Sequence, residues 1–146
     1  MIFEGEYLNG QRNGIGKEYS LYNGKLIFGG EYLNGKRNGK GKEYYYDGKL
    51  EFEGEYLNGQ RNGKGKEYDY KNGKLRFEGN YFNGKKNGEG KEYNNKGQLI
   101  FTGEYLYGKI WSGKLRNYLF NGELEFEKVF LNGELSQFKE YNYNGH

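Results

Sequence analysis

Apolar and polar residues alternate along this chain in short runs that recur about every 25 residues. In residues 52–57 (FEGEYL) the alternation places Phe52, Gly54 and Tyr56 on one face of an extended strand and the two intervening glutamates on the other. The segment NGQRNG follows, with Asn-Gly pairs that tolerate the positive φ of a tight turn. The segment KGKEY then runs back. The pattern therefore predicts a β-hairpin.

This hairpin pattern occurs six times along the chain. The units begin at a phenylalanine and are spaced 25, 24, 25, 24 and 25 residues apart: Phe3, Phe28, Phe52, Phe77, Phe101 and Phe126. A second reversal, such as Asp47-Gly48, joins each unit to the next. We expect a gain or loss of one residue in that turn to produce the 25/24 alternation.

Consecutive hairpins predict an all-β fold, an elongated single antiparallel meander of repeated β-hairpins. We expect one domain over residues 1–146, with regular units starting near residues 3, 28, 52, 77 and 101. The last unit has lost the paired glycines of the others, so residues 126–146 are predicted to form a degenerate C-terminal cap. Within that cap the apolar candidates are Val129, Phe130, Leu131, Leu135 and Phe138.

A hypothesis for the strand register follows from the charges of one hairpin. It sets Glu55 opposite Lys66 and Tyr56 opposite Gly65. Each hairpin would then carry a cross-strand ion pair, and each tyrosine ring would cover a residue without a side chain.

Composition supports an ordered array without catalysis. The chain has 27 glycines and only 34% hydrophobic residues, but its 17 tyrosines and 10 phenylalanines recur in register and can bury large areas. The absence of cysteine excludes disulfides and thiolate chemistry. The single histidine is the terminal His146, so no Ser-His-Asp set can be assembled. We predict no enzyme, with no catalytic, cofactor-binding or metal-binding residue and no cofactor.

The repeated unit FEGEYLNGxxNGxGKEY resembles the MORN repeat (membrane occupation and recognition nexus). Its aromatic-x-Gly-x-aromatic pattern and later glycines are matched fully in units one to four and partly in unit five. The resemblance implies a glycine-rich hairpin array without catalysis, which acts as a scaffold, a dimerisation module or an anchor at membrane–cytoskeleton junctions. Phosphoinositide binding has been proposed for several related arrays, and similar repeats occur in bacterial antitoxin components.

Two sets of side chains are candidates for binding. An aromatic face would bind protein if part of it were exposed, although most of its rings are expected to be core: Tyr7, Tyr32, Tyr56, Tyr81, Tyr105 and Trp111. The cations of the first-turn loops would meet anionic lipid, unless they serve only solubility and protection of the sheet edges: Arg12, Lys36, Arg37, Arg61, Lys85 and Lys86.

These observations predict a non-enzymatic scaffold or protein–protein interaction module that binds a protein partner and self-associates as a homodimer. Two alternatives stay open: a peripheral membrane binder that recognises an anionic membrane surface through basic hairpin tips, and an antitoxin-like protein binder. A net charge of +3, with cations and aromatics on different parts of the hairpin, disfavours nucleic acid. Without a signal-like start or a long apolar run, we expect a cytoplasmic location, peripheral to membrane or cytoskeleton.

Overall fold

A computed structural model describes residues 1–141 of the chain, and His146 lies outside these residues. The described part is built from strands and turns and contains no helix. The twelve strands are β1 (Ile2–Leu8), β2 (Gln11–Tyr19), β3 (Leu26–Leu33), β4 (Lys36–Tyr44), β5 (Leu50–Leu57), β6 (Gln60–Tyr68), β7 (Leu75–Phe82), β8 (Lys85–Tyr93), β9 (Leu99–Leu106), β10 (Lys109–Tyr118), β11 (Leu124–Leu131) and β12 (Glu134–Glu140).

The strands form one antiparallel sheet in which each strand lies beside its neighbours in sequence, from β1 to β12. Every unit is therefore a hairpin, and every turn between units starts another hairpin. The predicted meander is confirmed. Its two edge strands within the described residues are β1 and β12.

Two-residue turns close the hairpins of the units. In unit three Asn58 and Gly59 have φ angles of 50° and 88°, the pair of positive values that a type I′ turn requires. The same Asn-Gly pair closes units one, two, four and six. Unit five has Tyr107 at the asparagine position, with a φ of 48°. A bulky side chain adopts that conformation at a cost.

The predicted register is wrong, and the turn explains the error. The tight turn sets Tyr56 opposite Arg61, whereas Gly54 lies opposite Gly65. Between these two pairs, three residues of β6 lie opposite the single residue Glu55 of β5, so β6 forms a bulge there. The Glu55 carboxylate accepts a 2.6 Å hydrogen bond from the backbone N–H of Lys64 within this bulge, so the expected Glu55–Lys66 ion pair does not form.

The turns between units explain the alternating spacing as predicted. Residues 20–25 and 69–74 form turns of six residues, whereas residues 45–49 and 94–98 form turns of five. The fifth interval has a different cause. Its turn has five residues, but β10 is ten residues long where β4, β6 and β8 have nine.

The longer β10 also changes the end of the array. Leu115 pairs with Phe101 on one side and with Lys128 on the other, so Phe126 does not continue the row of phenylalanines. Up to residue 141, the hairpin β11–β12 extends the sheet but forms no buried cap: Val129 and Phe130 are partly buried, and Leu131, Leu135 and Phe138 are more than half exposed.

Candidate binding surfaces

Ten aromatic rings form a continuous ladder across one face of the sheet. Neighbouring rings meet edge to face, with centroids 5.0–5.8 Å apart. Each phenylalanine from Phe3 to Phe77 contacts the tyrosine of its own unit and that of the next, and Phe101 contacts that of its own unit, Tyr105. The order is Tyr7, Phe3, Tyr32, Phe28, Tyr56, Phe52, Tyr81, Phe77, Tyr105 and Phe101. Eight of the ten rings are buried and form the core.

Paired glycines make room for this ladder. A Cβ on Gly65 would lie 2.5 Å from two atoms of the Phe52 ring and 3.1 Å from the Tyr81 ring. A Cβ on the opposite Gly54 would lie 2.6–2.8 Å from the backbone of β6 and from the same phenylalanine. The ring therefore occupies the space that two side chains would need, so only glycine fits at both positions.

A row of cations covers the phenylalanine rings. The guanidinium carbons of Arg37 and Arg61 each lie 4.0 Å from the centroid of the phenylalanine in the same unit, and Arg12 and Lys86 lie 4.3 and 4.2 Å from theirs. Tyr56 pairs with Arg61 next to the turn, and this register directs the cation onto the aromatic face. Unit five has Ile110 at this position, packed against the core.

Glutamates link the cations of successive units. Glu43 Oε2 accepts hydrogen bonds from Arg61 Nε at 2.7 Å and from the Tyr56 hydroxyl at 2.7 Å. The other carboxylate oxygen of Glu43, Oε1, forms an ion pair with Arg37. Glu18 is bound in the same way by the tyrosine and arginine of unit two. The several donors offset part of the hydration that each carboxylate loses on burial. The row couples each unit to the one before it.

Unit four departs from this arrangement because it has lysine where units two and three have arginine. Lys86 Nζ donates to Glu92 at 3.0 Å and lies 3.5 Å from Glu67 Oε2. The buried Glu67 Oε2 accepts no hydrogen bond, and the buried hydroxyl of Tyr81 has no partner within the described residues. A single ammonium group therefore replaces the guanidinium fork incompletely.

Titration behaviour reflects the buried ladder. Burial raises the pKa of Tyr32 and Tyr56 far above a tyrosine's ordinary value, and the hydrogen bonds to Glu18 and Glu43 raise it further. Burial, followed by the negative charge of the nearest glutamate, raises the pKa of Tyr81 and Tyr105 as well. These phenols therefore stay protonated at any physiological pH.

The opposite face of the sheet carries a groove that runs across the strands and encloses about 1190 Å³. We call it the glycine groove. Its floor is the bare backbone of the paired glycines, because their missing side chains would point toward the aromatic ladder: Gly41, Gly54, Gly65, Gly79, Gly90 and Gly103. Five lysines and five glutamates line its sides: Lys40, Lys42, Lys64, Lys66, Lys91, Glu53, Glu55, Glu78, Glu89 and Glu104.

A family model described as MORN repeat matches residues 3–20, 30–49, 52–74 and 77–98, which is more than half of the chain. The chain belongs to the MORN repeat family. The matched segments fall on the four regular hairpins of units one to four. MORN repeats are a non-catalytic kind of repeat that generally serves interactions with proteins or membranes. No curated protein matches this chain.

The MORN hairpins bury most of the candidate aromatic face. Tyr32, Tyr56, Tyr81 and Tyr105 are at most 5% exposed, because the phenylalanine ring and the glycines of the preceding unit enclose them. They are core in the free chain, as expected for most of the rings. Tyr7 is 59% exposed. Trp111 is half-buried and lies against the turn of unit six, about 3 Å from the Cβ position of Gly133. Whether any of these residues binds a protein stays a prediction.

The candidate lipid-binding cations are not gathered at the MORN hairpin tips. Only Lys36 and Lys85 are exposed there. The other four lie over phenylalanine rings and pair with glutamates: Arg12, Arg37, Arg61 and Lys86. The register places every second tip residue on the aromatic face, which the sequence pattern alone did not indicate. Whether any of the six cations binds lipid stays a prediction.

Sequence reasoning missed a second exposed aromatic set at the turns between MORN units, which we call the second-turn edge. Tyr22, Tyr46, Tyr70 and Phe120 are exposed there. Lysines of the same turns donate to backbone carbonyls of the following turn, as Lys25 does to Asp47. The signal was present in the sequence as an aromatic residue before most Asn-Gly or Asp-Gly pairs.

Within residues 1–141, no group of three or more His, Cys, Asp or Glu side chains could hold a metal ion. No helix in that part of the chain is long and apolar enough to cross a membrane.

Proposed function

We propose that this MORN repeat chain is a non-catalytic scaffold that binds an extended segment of a partner protein in the glycine groove. The observation that carries the proposal is the groove itself. It is a concave surface built from the same positions of four successive units, with exposed strand backbone as its floor between rows of lysine and glutamate side chains. A floor of bare backbone lets another polypeptide approach closely.

The size of the groove suits a short extended segment. Six floor glycines on neighbouring strands span about 24 Å at the usual strand spacing. An extended chain rises about 3.3 Å per residue, so the groove accommodates about seven residues. Each MORN unit contributes equivalent contacts, so several weak contacts add up along one ligand.

The charges of the groove favour a polypeptide over a polyanion. Its five lysines and five glutamates cancel formally. Opposite charges face each other in most of it, as in the pairing of Lys42 with Glu53 and of Glu53 with Lys66, whereas Glu89 faces Glu104 at one end. Anionic lipid or nucleic acid would be attracted to a surface with excess positive charge. A peptide of mixed charge finds complementary partners along both sides.

Selection from a displayed library of random extended peptides, followed by affinity measurement, tests the proposal. The groove variant carries Lys42→Glu and Lys66→Glu. The matched control carries Lys71→Glu and Lys74→Glu at an exposed turn, which changes the net charge equally. We expect selected peptides to bind the wild type and the control alike, and the groove variant at least about tenfold more weakly. Equal binding to both variants would reject the groove as the site.

Peripheral membrane binding is a second candidate, and the second-turn edge supports it better than the first-turn cations do. Tyr22 and Phe120 are 95% and 94% exposed at this edge. Exposed aromatics beside lysines favour the headgroup region of a bilayer.

Co-sedimentation with neutral and phosphoinositide-doped vesicles at low and physiological salt tests the membrane candidate. Binding to doped vesicles that is lost with Tyr22→Ser and Phe120→Ser would support this edge. Loss with Lys36→Glu and Lys85→Glu, the exposed cations of the first turns, would instead support the first-turn cations. Absence of binding at physiological salt would reject membrane binding and leave protein binding, of which an antitoxin-like binder is one form.

A further inference from the structure

The edge strand β1 is an incomplete copy of the inner strands. Unit one has the same residues as unit three at its two aromatic positions, yet Tyr7 is 59% exposed and Tyr56 only 4%. Phe3 is half-buried, whereas Phe52 is fully buried. The difference arises because β5 is flanked by β4 and β6, whereas β1 pairs only with β2 in the described part of the chain.

At the exposed edge of β1, unit one has two side-chain donors placed like the pair that binds a carboxylate in unit two. In unit two the Tyr32 hydroxyl and Arg37 Nε both donate to Glu18 Oε2, at 2.6 and 2.8 Å, and Glu18 belongs to the preceding unit. Unit one presents the same two donors, Tyr7 and Arg12. Within residues 1–141, Arg12 pairs only with Glu18 on its inner side, at 3.5 Å. The outer side of this donor pair faces the free edge.

The pairing of the inner strands indicates which residues a strand added beside β1 would need. Where β4 pairs with β5, the segment Gly-Lys-Gly-Lys-Glu at residues 39–43 runs opposite Tyr56, Glu55, Gly54, Glu53 and Phe52. Unit one repeats these five partners as Tyr7, Glu6, Gly5, Glu4 and Phe3. The two lysines would therefore face Glu6 and Glu4, and the glutamate would reach the donor pair.

Two strands of a second copy fit this edge poorly. The free strand β12 has Phe138 at the position equivalent to the Gly65 of unit three. At the corresponding Gly41 even a Cβ lies 3.1 Å from the Tyr56 ring, so a phenylalanine there would collide with Tyr7. A second β1, paired antiparallel about Gly5, would set Glu4 opposite the Glu6 of the other copy, and like charges across strands destabilise the pair.

We propose that the β1 edge is a β-augmentation site for an extended segment of a partner protein with the pattern Gly-Lys-Gly-Lys-Glu. The segment adds a strand to the sheet through backbone hydrogen bonds. Its lysines pair with Glu6 and Glu4, its central glycine lets the Tyr7 ring close over it, and its glutamate accepts hydrogen bonds from Tyr7 and Arg12. This site is distinct from the glycine groove and does not depend on it.

A peptide with the sequence of Gln60–Tyr68 (QRNGKGKEY), acetylated and amidated at its ends, is the probe. Its titration into the isotope-labelled full chain, followed by amide chemical shifts, locates and measures binding. We expect saturable shifts confined to β1 and its neighbour β2. Replacing the peptide glutamate with glutamine, or its central glycine with phenylalanine, is expected to weaken binding at least about tenfold.

Two protein variants complete the test. Tyr7→Phe keeps the ring but removes one donor and is expected to weaken binding measurably, whereas Tyr22→Phe at the second-turn edge is expected to leave it unchanged. Three results would overturn the proposal: absence of shifts at millimolar peptide, shifts centred on the glycine groove, or equal affinity of the glutamine peptide. Self-association of the chain through β1, seen by sedimentation velocity and by shifts of β1 amides with protein concentration, would also overturn it.

Discussion

The guanidinium carbon of Arg61 lies 4.0 Å from the centroid of the Phe52 ring, and its Nε donates at 2.7 Å to Glu43 of the preceding unit. One side chain thus binds the core of its own hairpin and the carboxylate of the neighbouring one. In a repeat array, stability is approximately a sum of terms within units and between nearest neighbours. Arg61 contributes to both, because the register next to the turn directs it over the ring.

Replacing Lys86 with arginine is expected to stabilise the chain. A guanidinium at this position can donate through Nε to Glu67, as Arg61 does to Glu43, and leaves less of the buried carboxylate without a hydrogen bond. We expect a gain of about 1 kcal/mol in the free energy of unfolding, measured with urea. The control Lys85→Arg changes an exposed neighbour and should stay within about 0.5 kcal/mol. Equal effects of the two changes would show that the guanidinium geometry does not matter.

The paired glycines are expected to tolerate no side chain. Gly65→Ala would place a Cβ 2.5 Å from the fixed Phe52 ring. We expect a loss of about 3 kcal/mol in the free energy of unfolding. The matched control is Gly29→Ala, because the nearest atom to a Cβ there is 3.8 Å away and its φ is open to any residue. That change should be neutral or slightly stabilising. A mild effect at Gly65 would mean that the ladder is loosely packed.

Alkaline pH is expected to destabilise the fold. The unfolded chain's tyrosines ionise near pH 10, whereas burial raises the pKa of Tyr32, Tyr56, Tyr81 and Tyr105 in the folded state. The folded state therefore keeps protons that the unfolded state releases, and stability falls as pH rises above about 10. Burial and the hydrogen bond to Glu53 likewise raise the pKa of Tyr68, to about 12.

Urea midpoints measured between pH 8 and 11.5 check this dependence. Below pH 9, tyrosine titration should leave the urea midpoint nearly constant. Above pH 10, the midpoint should fall. Tyr56→Phe removes one of the responsible groups, so its decline should be shallower. A midpoint that stays constant to pH 11.5 would contradict the buried ladder.

Replacing Tyr107 with asparagine in the turn of unit five is expected to stabilise the chain. Tyr107 has a φ of 48° where the five other units have asparagine at the same position. Asparagine tolerates this left-handed conformation better than a bulky residue does. Tyr107→Asn should raise the free energy of unfolding by about 1 kcal/mol, whereas Tyr22→Asn, at a position without positive φ, should not.

The fold was predictable from the sequence because one pattern is repeated six times. Alternation gave the strands, Asn-Gly gave the turns, and the period gave the meander. The register was not predictable from charge pairing. The two-residue turn at Asn58-Gly59 and the bulge opposite Glu55 decide it, and the bulge is stabilised by a side chain-to-backbone hydrogen bond that charge pairing does not anticipate.

The candidate surfaces were less predictable, for a related reason. Residues adjacent in sequence lie on opposite faces of a strand, so Lys36 is exposed while Arg37 lies on the Phe28 ring. When the predicted register is wrong by two residues, each side chain is still assigned to the correct face of the sheet, but every cross-strand partner is wrong. The groove was not foreseen because it lies between rows of lysine and glutamate side chains from several strands, and these rows form a surface only when neighbouring strands are aligned.

The central claim is that the glycine groove binds an extended polypeptide. Titration of a library-selected peptide into the isotope-labelled chain, followed by amide chemical shifts, tests it most directly. We expect shifts at successive floor glycines, Gly41, Gly54, Gly65, Gly79 and Gly90, that disappear when Lys42 and Lys66 are replaced with glutamate. Shifts confined to the second-turn edge, with the floor glycines unmoved, would contradict it.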